Sequence, residues 1–307
     1  MISKFFRKAK PIHFVIMSMV LFIGFLLAKL RMHPEFNTVF VLKQLALFGV
    51  CVLSLFIFDF FTSKNRLSKK NSYNLLFYGL FMVLMFQTFL NTKLVIANLF
   101  IMLALRRIVS LRSKKDNKKK ILDATIWISL ATLLFFWSSL FFIVLFAALF
   151  LYGITDVKNW IIPFIGVLLV AVLTYAMLIV FNIDFWAYVD RFERGKNFDF
   201  SMLNNRQIII AATIYFSYFI WSLFYYLRTI KNQSKSYRPS YLLILFTAFI
   251  ALVIIIISPE KSGAEFIFLI APLALIVTNY IELVPEKWFR EVLIWLLIVG
   301  LLASLVL

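Results

Sequence analysis

Acidic and basic side chains lie close together in the short polar segments between the apolar runs of this sequence. The acids are Glu35, Asp184, Asp190, Glu193, Asp199, Glu260 and Glu265, and the bases beside them are Arg191, Arg194, Lys196, Arg206 and Lys261. A carboxylate can take a proton from a reacting group or bind a divalent cation, and guanidinium and ammonium groups bind phosphate. If the segments meet at one surface, they provide a general base and a phosphate site. Ordinary solvated loop chemistry is the simpler interpretation of any single member.

A second charged cluster lies near the middle of the sequence. Arg106 and Arg107 precede it, and its basic members are Arg112, Lys114, Lys115, Lys118, Lys119 and Lys120. A basic cluster beside a membrane attracts anionic lipids by about 1 kcal/mol for each charge. We expect these six side chains to contact anionic lipid. A topology anchor without a ligand is the simpler alternative.

Residues that hold metals are scarce in this sequence. It contains two distant histidines, His13 and His33, and a single cysteine, Cys51. Structural zinc and multi-histidine iron sites need several such ligands in a cluster, so we expect no such metal site. No Gly-rich phosphate loop or nucleophile elbow is present to define a reaction.

The composition is that of a membrane protein. Hydrophobic residues form 63% of the 307-residue chain, charged residues form 15%, and the mean hydropathy is +0.95. Soluble domains carry roughly 45–50% apolar and about 25% charged residues. We therefore predict a single all-α transmembrane domain over residues 1–307. The net charge of +18 is explained by basic residues that hold loops in the cytoplasm, and we expect no nucleic-acid partner.

The apolar runs predict ten or eleven membrane segments. They cover about 12–30, 39–61, 73–90, 94–110, 121–153, 160–181, 208–227, 240–257, 266–283 and 292–307. The run 121–153 is too long for one ordinary crossing, since a helix of this length would measure roughly 50 Å. It forms either one long tilted helix or a hairpin of two short helices. We expect the first run to be an uncleaved span with a cytoplasmic N-terminus.

The basic residues favour the hairpin weakly. With a hairpin, the cytoplasmic stretches hold 23 of the 32 Lys and Arg residues, against 21 with a single crossing. The hairpin also places the acidic and basic loops on the outer face, where Glu35 lies in either topology. One of these loops, 182–207, mixes aromatic and charged residues. This pattern is typical of an interfacial helix and suits a lid over a lipid-facing pocket.

Four segments carry a resemblance that extends over the chain. They are Lys-Pro-Ile-His-Phe-Val-Ile from residue 10, residues 97–112, Leu-Asp-Ala-Thr-Ile-Trp from residue 122, and residues 263–276. With these segments the chain resembles an uncharacterised family of multi-spanning inner-membrane proteins from Bacteroidota. The resemblance implies location in the bacterial cytoplasmic membrane and no particular chemistry.

The overall layout is similar to that of the GT-C glycosyltransferases. An acid, Glu35, lies in the first outer loop, and the late outer loop Ser258–Phe266 carries Lys261 before a span that contains Pro272. The GT-C resemblance implies that Glu35 is the base on the acceptor, that a polyprenyl phosphate carries the sugar and that a divalent metal assists. The chain departs from the GT-C pattern in its short first outer loop and in lacking paired acids.

Three functions remain open from the sequence. The first is glycosyl transfer from a lipid-linked donor, with Glu35 as base and Arg191, Arg194, Arg206 and Lys261 as phosphate or headgroup ligands. The second is a non-enzymatic subunit that binds another membrane protein of the envelope. The third is transport of a lipid or small molecule, although charged relays near mid-membrane are sparse.

Overall fold

The computed structural model describes residues 1–32, 37–190, 192, 195 and 198–306, and all regular secondary structure in these ranges is helical. The α-helices are α1 (Ile2–Phe6), α2 (Pro11–Leu30), α3 (Thr38–Lys64), α4 (Tyr73–Leu84), α5 (Thr92–Ser110), α6 (Asn117–Leu134), α7 (Phe141–Leu151), α8 (Val157–Val180), α9 (Phe185–Asp190), α10 (Arg206–Asn232), α11 (Arg238–Ile257), α12 (Ile267–Ile281) and α13 (Lys287–Val306). Short 3₁₀ helices cover Phe86–Phe89, Leu111–Ser113, Phe136–Leu140, Ser201–Leu203 and Ala264–Phe266. The predicted all-α fold is confirmed.

Seven helical segments within the described ranges are long and apolar enough to cross a membrane. They are Pro11–Leu30, Thr38–Lys64, Thr92–Ser113, Val157–Val180, Arg206–Asn232, Arg238–Ile257 and Ala264–Ile281. The shorter apolar helices Tyr73–Leu84 and Phe136–Leu151 lie among them. These segments indicate a multi-pass membrane protein. The larger count of ten or eleven segments stays a prediction.

Local sequence signals set where several helices begin. Asn37, Asn91 and Asn205 precede α3, α5 and α10, and each side chain accepts a hydrogen bond from a backbone N–H of the first turn. Asparagine is among the preferred residues at this position because it satisfies a donor that has no partner within the helix. Pro11 opens α2, where its fixed φ fits the first turn and its missing N–H costs nothing.

The core is built around α4 and α12, in which every residue is buried. Helix α4 packs against α2, α12 and α13, while α12 also packs against α10 and α11. Small residues allow close approach: a Cβ added to Gly24 of α2 would lie 2.6 Å from Cγ1 of Val83 on α4. Helix α8 packs mainly on α6, with Gly166 against the Thr125 side chain, and most of its surface is exposed.

Six basic stretches meet at one end of the bundle. We call this the basic end, and it comprises residues 1–11, 62–72, 106–120, 154–159, 228–239 and 284–291. Backbone and side-chain contacts join several of them. Ser72 N donates to Phe6 O at 2.9 Å, and Ile2 N donates to Glu291 Oε2 at 3.1 Å. The Arg112 guanidinium stacks 3.9 Å from the centre of the Tyr237 ring.

The chain reverses within the run 121–153. Helix α6 ends at Leu134, the 3₁₀ turn follows, and α7 returns to the basic end. Lys120 Nζ, near the start of α6, donates to Ser110 O at 2.9 Å. Beyond the end of α7, Tyr152 Oη lies 3.2 Å from Val109 O on the same helix, α5. Both ends of the run therefore contact the same end of α5, which fits the hairpin alternative.

Candidate functional site

A cleft of about 630 Å³ opens at the end of the bundle opposite the basic end. Its walls come from segments that are distant in the sequence: Gln87–Leu94, the hairpin turn Leu133–Phe136, residues 188 and 192, and the loop 260–265. The volume is within the range of about 300–1,000 Å³ that is usual for small-ligand sites. Apolar surface predominates in the lining, and polar groups come from a few side chains.

Glu265 is the buried carboxylate of the cleft, with only 2% of the residue exposed. It lies in the 3₁₀ turn that leads into α12, and neutral donors hold it in place. Its Oε1 accepts from Ser262 N at 3.3 Å and from Ser262 Oγ at 3.2 Å, and its Oε2 accepts from Gly263 N at 3.0 Å. Among the described residues, no cation forms a salt bridge with it. Burial without a paired cation favours proton uptake by this carboxylate, while the hydrogen bonds fix its position.

Gly263 permits this arrangement because its φ is +86°, a conformation that other residues adopt only with strain. A Cβ at this position would also lie 3.3 Å from Cδ1 of Ile208 on α10 and 3.6 Å from Cβ of Gln87. The glycine thus shapes the loop and lets it approach both neighbours. Its backbone N–H is one of the donors to Glu265.

The segment Gln87–Leu94 supplies amides and a cation to the cleft. Gln87 is buried in the 3₁₀ helix Phe86–Phe89, and its Oε1 has no hydrogen-bond partner within the described structure. Asn91 caps α5 by accepting from Leu94 N at 3.2 Å, and the exposed Lys93 follows it in the first helical turn. These groups add an acceptor and a positive charge to the cleft that contains Glu265.

The aromatic segment 182–207 reaches the cleft. Tyr188 of the short helix α9 and Phe192 both line it. The expectation that this segment forms a lid over a lipid-facing pocket stays a prediction. Helix α9 itself is short, since it ends at Asp190.

The two predicted phosphate ligands that the structure describes lie outside the cleft lining. Lys261 is 1% exposed, and its Nζ donates to Ile256 O and, at 3.5 Å, to Ser258 O, so that it caps the end of α11. The same Nζ lies 4.4 Å from the centre of the Phe200 ring. Burial lowers the pKa of the Lys261 amine, and the carboxylates of Glu265 and Asp199 oppose this shift. Arg206 is exposed at the start of α10.

The other predicted outer residues, Glu35, Arg191 and Arg194, lie outside the described residues. Their expected roles stay predictions. Sequence reasoning placed Glu265 among the outer acids without assigning it a role, and it interpreted Gln87 as a contact between helices. Lys93 was missed, although its position beside the Asn91 cap could have marked it as a loop cation.

The predicted lipid-binding cluster divides in the structure. Lys114, Lys115, Lys118 and Lys119 are exposed at the basic end. Arg112 and Lys120 are half-buried and line a second cleft of about 320 Å³ together with Lys64, Arg106 and Arg107. The structure therefore separates a solvated basic surface from a cationic pocket.

The comparisons with known proteins identify a family. Residues 5–306 match DUF6427, which is described as a family of unknown function. The chain belongs to DUF6427. The match spans nearly the whole chain and therefore includes both clefts and every helix from α2 to α13. No curated protein and no solved structure matches the chain.

Membership of DUF6427 agrees with the expected resemblance to an uncharacterised family. This membership does not indicate a reaction, a substrate or a partner, because the family is described as one of unknown function. The expected origin in Bacteroidota and the similarity to GT-C enzymes stay predictions.

Proposed function

We propose that this member of DUF6427 is a membrane enzyme that transfers a glycosyl group from a lipid-linked phosphate donor. The observation that carries the proposal is the 630 Å³ cleft with the buried Glu265 carboxylate in its wall. The cleft combines a base, neutral polar groups and an apolar wall at one end of a membrane bundle. The base and polar groups suit a sugar acceptor, and the apolar wall suits a lipid carrier.

The proposed location is the bacterial cytoplasmic membrane, with the basic end and the N-terminus in the cytoplasm. The positive-inside rule supports this orientation because basic stretches gather at one end. We propose eleven crossings, formed by α2–α8 and α10–α13. The short helix α4 and its following 3₁₀ helix together extend roughly 26 Å, and so do α7 and its preceding 3₁₀ helix. Burial of α4 within protein suits an element that is short for a membrane.

The lining of the cleft matches a molecule that is polar at one end and apolar at the other. The hairpin turn contributes Leu133, Leu134, Phe135 and Phe136, all half-buried. On the polar side lie Glu265, Gln87 and Lys93. In the proposed complex the prenyl chain lies against the hairpin turn, and the phosphate and sugar lie towards these polar groups.

In the proposed reaction the acceptor hydroxyl oxygen attacks the anomeric carbon of the donor sugar. The new C–O bond forms as the bond from that carbon to the phosphate oxygen breaks, and the polyprenyl phosphate leaves with the electron pair. The acceptor proton passes to a carboxylate. Glu265 is the buried carboxylate in the lining of the cleft, and Glu35 is the base that the GT-C resemblance implies. Lys93 balances charge on the leaving phosphate, with Arg191 and Arg194 as the further phosphate ligands expected from the sequence. Arg206 and Lys261 lie outside the lining of the cleft and take no part in this step.

The proposed steps use acid–base and cationic side chains. Within the described ranges, no three His, Cys, Asp or Glu side chains come together as a metal site.

Native mass spectrometry of Glu265→Gln and Glu35→Gln, extracted gently from the producing membranes, tests the assignment of the base. Glutamine keeps the shape of the side chain but cannot take the proton. We expect the variant that lacks the true base to retain the sugar-charged lipid, while the wild type carries the polyprenyl phosphate product. Glu260→Gln is the matched control, because Glu260 lines the same cleft but is exposed. If all four proteins lack polyprenyl lipids, the proposal is wrong.

A second function, a non-enzymatic subunit of an envelope assembly, is favoured by the outer face of α8. This helix packs mainly on α6 and exposes large apolar side chains such as Phe164 (66%) and Leu168 (64%). Such a face suits either lipid or another membrane protein. A stoichiometric protein partner that is lost in Leu168→Lys, with the protein still folded, would support this function.

A further inference from the structure

The second cleft, at the basic end, concentrates positive charge. Its lining contains Lys64 from α3, Arg106 and Arg107 from α5, Arg112, and Lys120 from α6. Asp123 pairs with Arg107 at 2.8 Å and is the acid in the salt bridge that the described residues form. The remaining four cations face a volume of about 320 Å³, which is sufficient for a small polar group.

The cleft is also equipped with hydrogen-bond donors. Arg112 Nη1 is buried without a hydrogen-bond partner in the described structure, while its guanidinium is held against the Tyr237 ring at 3.9 Å. Lys120 Nζ is fixed by Ser110 O at 2.9 Å and Ser113 Oγ at 2.6 Å. Gathering like charges at one place is unfavourable unless an anion compensates them. The donor chemistry, guanidinium and ammonium, is that of phosphate binding.

An apolar surface adjoins this cationic group. Lys64 Nζ and the Arg106 guanidinium carbon each lie 5.2 Å from the centre of the Phe60 ring. Phe60 stacks with Phe56 at 6.4 Å, and the two residues are 37% and 53% exposed on the outer face of α3. An exposed aromatic pair on a membrane-facing helix offers a surface for acyl chains. The same phosphate-binding group is thus continuous with a lipid-facing surface.

We propose that this cleft binds the phosphate of an anionic phospholipid, with the acyl chains along Phe60 and Phe56. The site differs from the glycosyl-transfer cleft, because it lies at the other end of the bundle. It also differs from the exposed lysines Lys114 and Lys115, which provide diffuse attraction only.

The test measures phosphatidylglycerol retained by the full-length protein in native mass spectra after titration in detergent. The Lys64→Gln and Arg106→Gln double variant removes two cleft charges, and Lys114→Gln with Lys115→Gln removes two exposed charges from the same cluster. Because the cleft variant loses charge-assisted contacts to the phosphate, we expect roughly 30-fold weaker binding of one lipid. The exposed variant should change the binding of this one lipid by less than about 3-fold, because its charges are screened by solvent.

Further arms identify the source of the phosphate. Diacylglycerol, which lacks the phosphate, should not compete, and inorganic phosphate at the lipid concentration should not displace phosphatidylglycerol. Arg106→Lys, which keeps the charge, should retain most of the binding and shows that a loss in the double variant is not misfolding. Equal loss in the cleft and exposed variants would overturn the proposal, since diffuse charge would then suffice. Displacement by inorganic phosphate would overturn the assignment to lipid.

Discussion

Replacement of Gly263 by alanine perturbs the loop that holds Glu265. The φ of +86° at this position forces the alanine side chain into strain, and we set the cost at about 1–2 kcal/mol. The collision with Ile208 is milder, because the nearest atom, Cδ1 at 3.3 Å, is the end of a flexible side chain. The backbone therefore determines most of the expected loss of stability.

Two other glycines calibrate this magnitude. Gly153, which follows α7, has a φ of +63° and open space where a Cβ would lie, so Gly153→Ala bears the backbone cost alone. Gly49 lies inside α3 with open space beside it, and Gly49→Ala should stabilise the protein by about 0.5–1 kcal/mol. The three variants separate strain at a turn from helix propensity and from disturbance of the cleft.

Thermal unfolding in detergent and native mass spectrometry provide the two readouts. We expect Gly263→Ala and Gly153→Ala to lower the apparent Tm by about 2–4 °C each, and Gly49→Ala to raise it. Gly263→Ala alone should also lose the lipid that we propose for the 630 Å³ cleft, since Gly263 N is a donor to Glu265. If Gly263→Ala leaves both stability and lipid retention unchanged, the argument that this turn holds the carboxylate is refuted.

Three further predictions concern contacts elsewhere in the fold. Tyr215→Phe removes the hydrogen bond that Tyr215 donates to Phe81 O at 2.5 Å between α10 and α4, and should lower the free energy of unfolding by about 1–2 kcal/mol, as measured by denaturant titration. Glu291→Gln weakens the acceptor for Ser3 N and Oγ at 2.9 and 2.7 Å, so amide hydrogen exchange in α1 should become faster while that of α12 stays unchanged. The pKa of Lys261 is lower in the folded protein than its ordinary value, so the unfolded chain binds more protons in the alkaline range. Stability should therefore rise with pH up to that ordinary value. In thermal unfolding, Lys261→Met should lack this rise.

The all-α membrane fold follows from composition because the chain has too few charges to cover a surface in water. The hairpin at 121–153 could only be left as an alternative. The break comes at Phe135, whose extended φ of −147° ends α6, and neither Pro nor Gly marks the place. The reversal depends instead on the packing of the flanking helices, such as the hydrogen bond from Tyr152 to Val109 O.

The sequence patterns of α4 and α12 also do not predict that these two helices are completely buried. Both are apolar all round, as are helices that face lipid, so periodicity does not distinguish a central helix from a peripheral one. Only the packed structure shows that α8, which is equally apolar, lies at the edge.

The candidate site was partly visible in the sequence. The outer acids, which include Glu265, could be identified from their positions in loops. The burial of Glu265 could not, because it results from the place of this residue at the start of a buried helix. The cleft joins Gln87, Lys93 and the turn at Leu133–Phe136, and no local spacing connects segments so far apart. Likewise, the basic cluster was evident, whereas the contribution of Lys64 to the same pocket as Lys120 depends on the packing of α3 beside α5.

The most direct test of the central claim is native mass spectrometry of the wild-type protein and Thr92→Trp, each extracted gently from its own membrane. Thr92 is exposed and lines the 630 Å³ cleft, so tryptophan should obstruct part of the cleft without disturbing the core. We expect one polyprenyl-phosphate or sugar-linked lipid on the wild type and none on Thr92→Trp. A wild type that carries no such lipid, or that carries a stoichiometric protein partner instead, would contradict it.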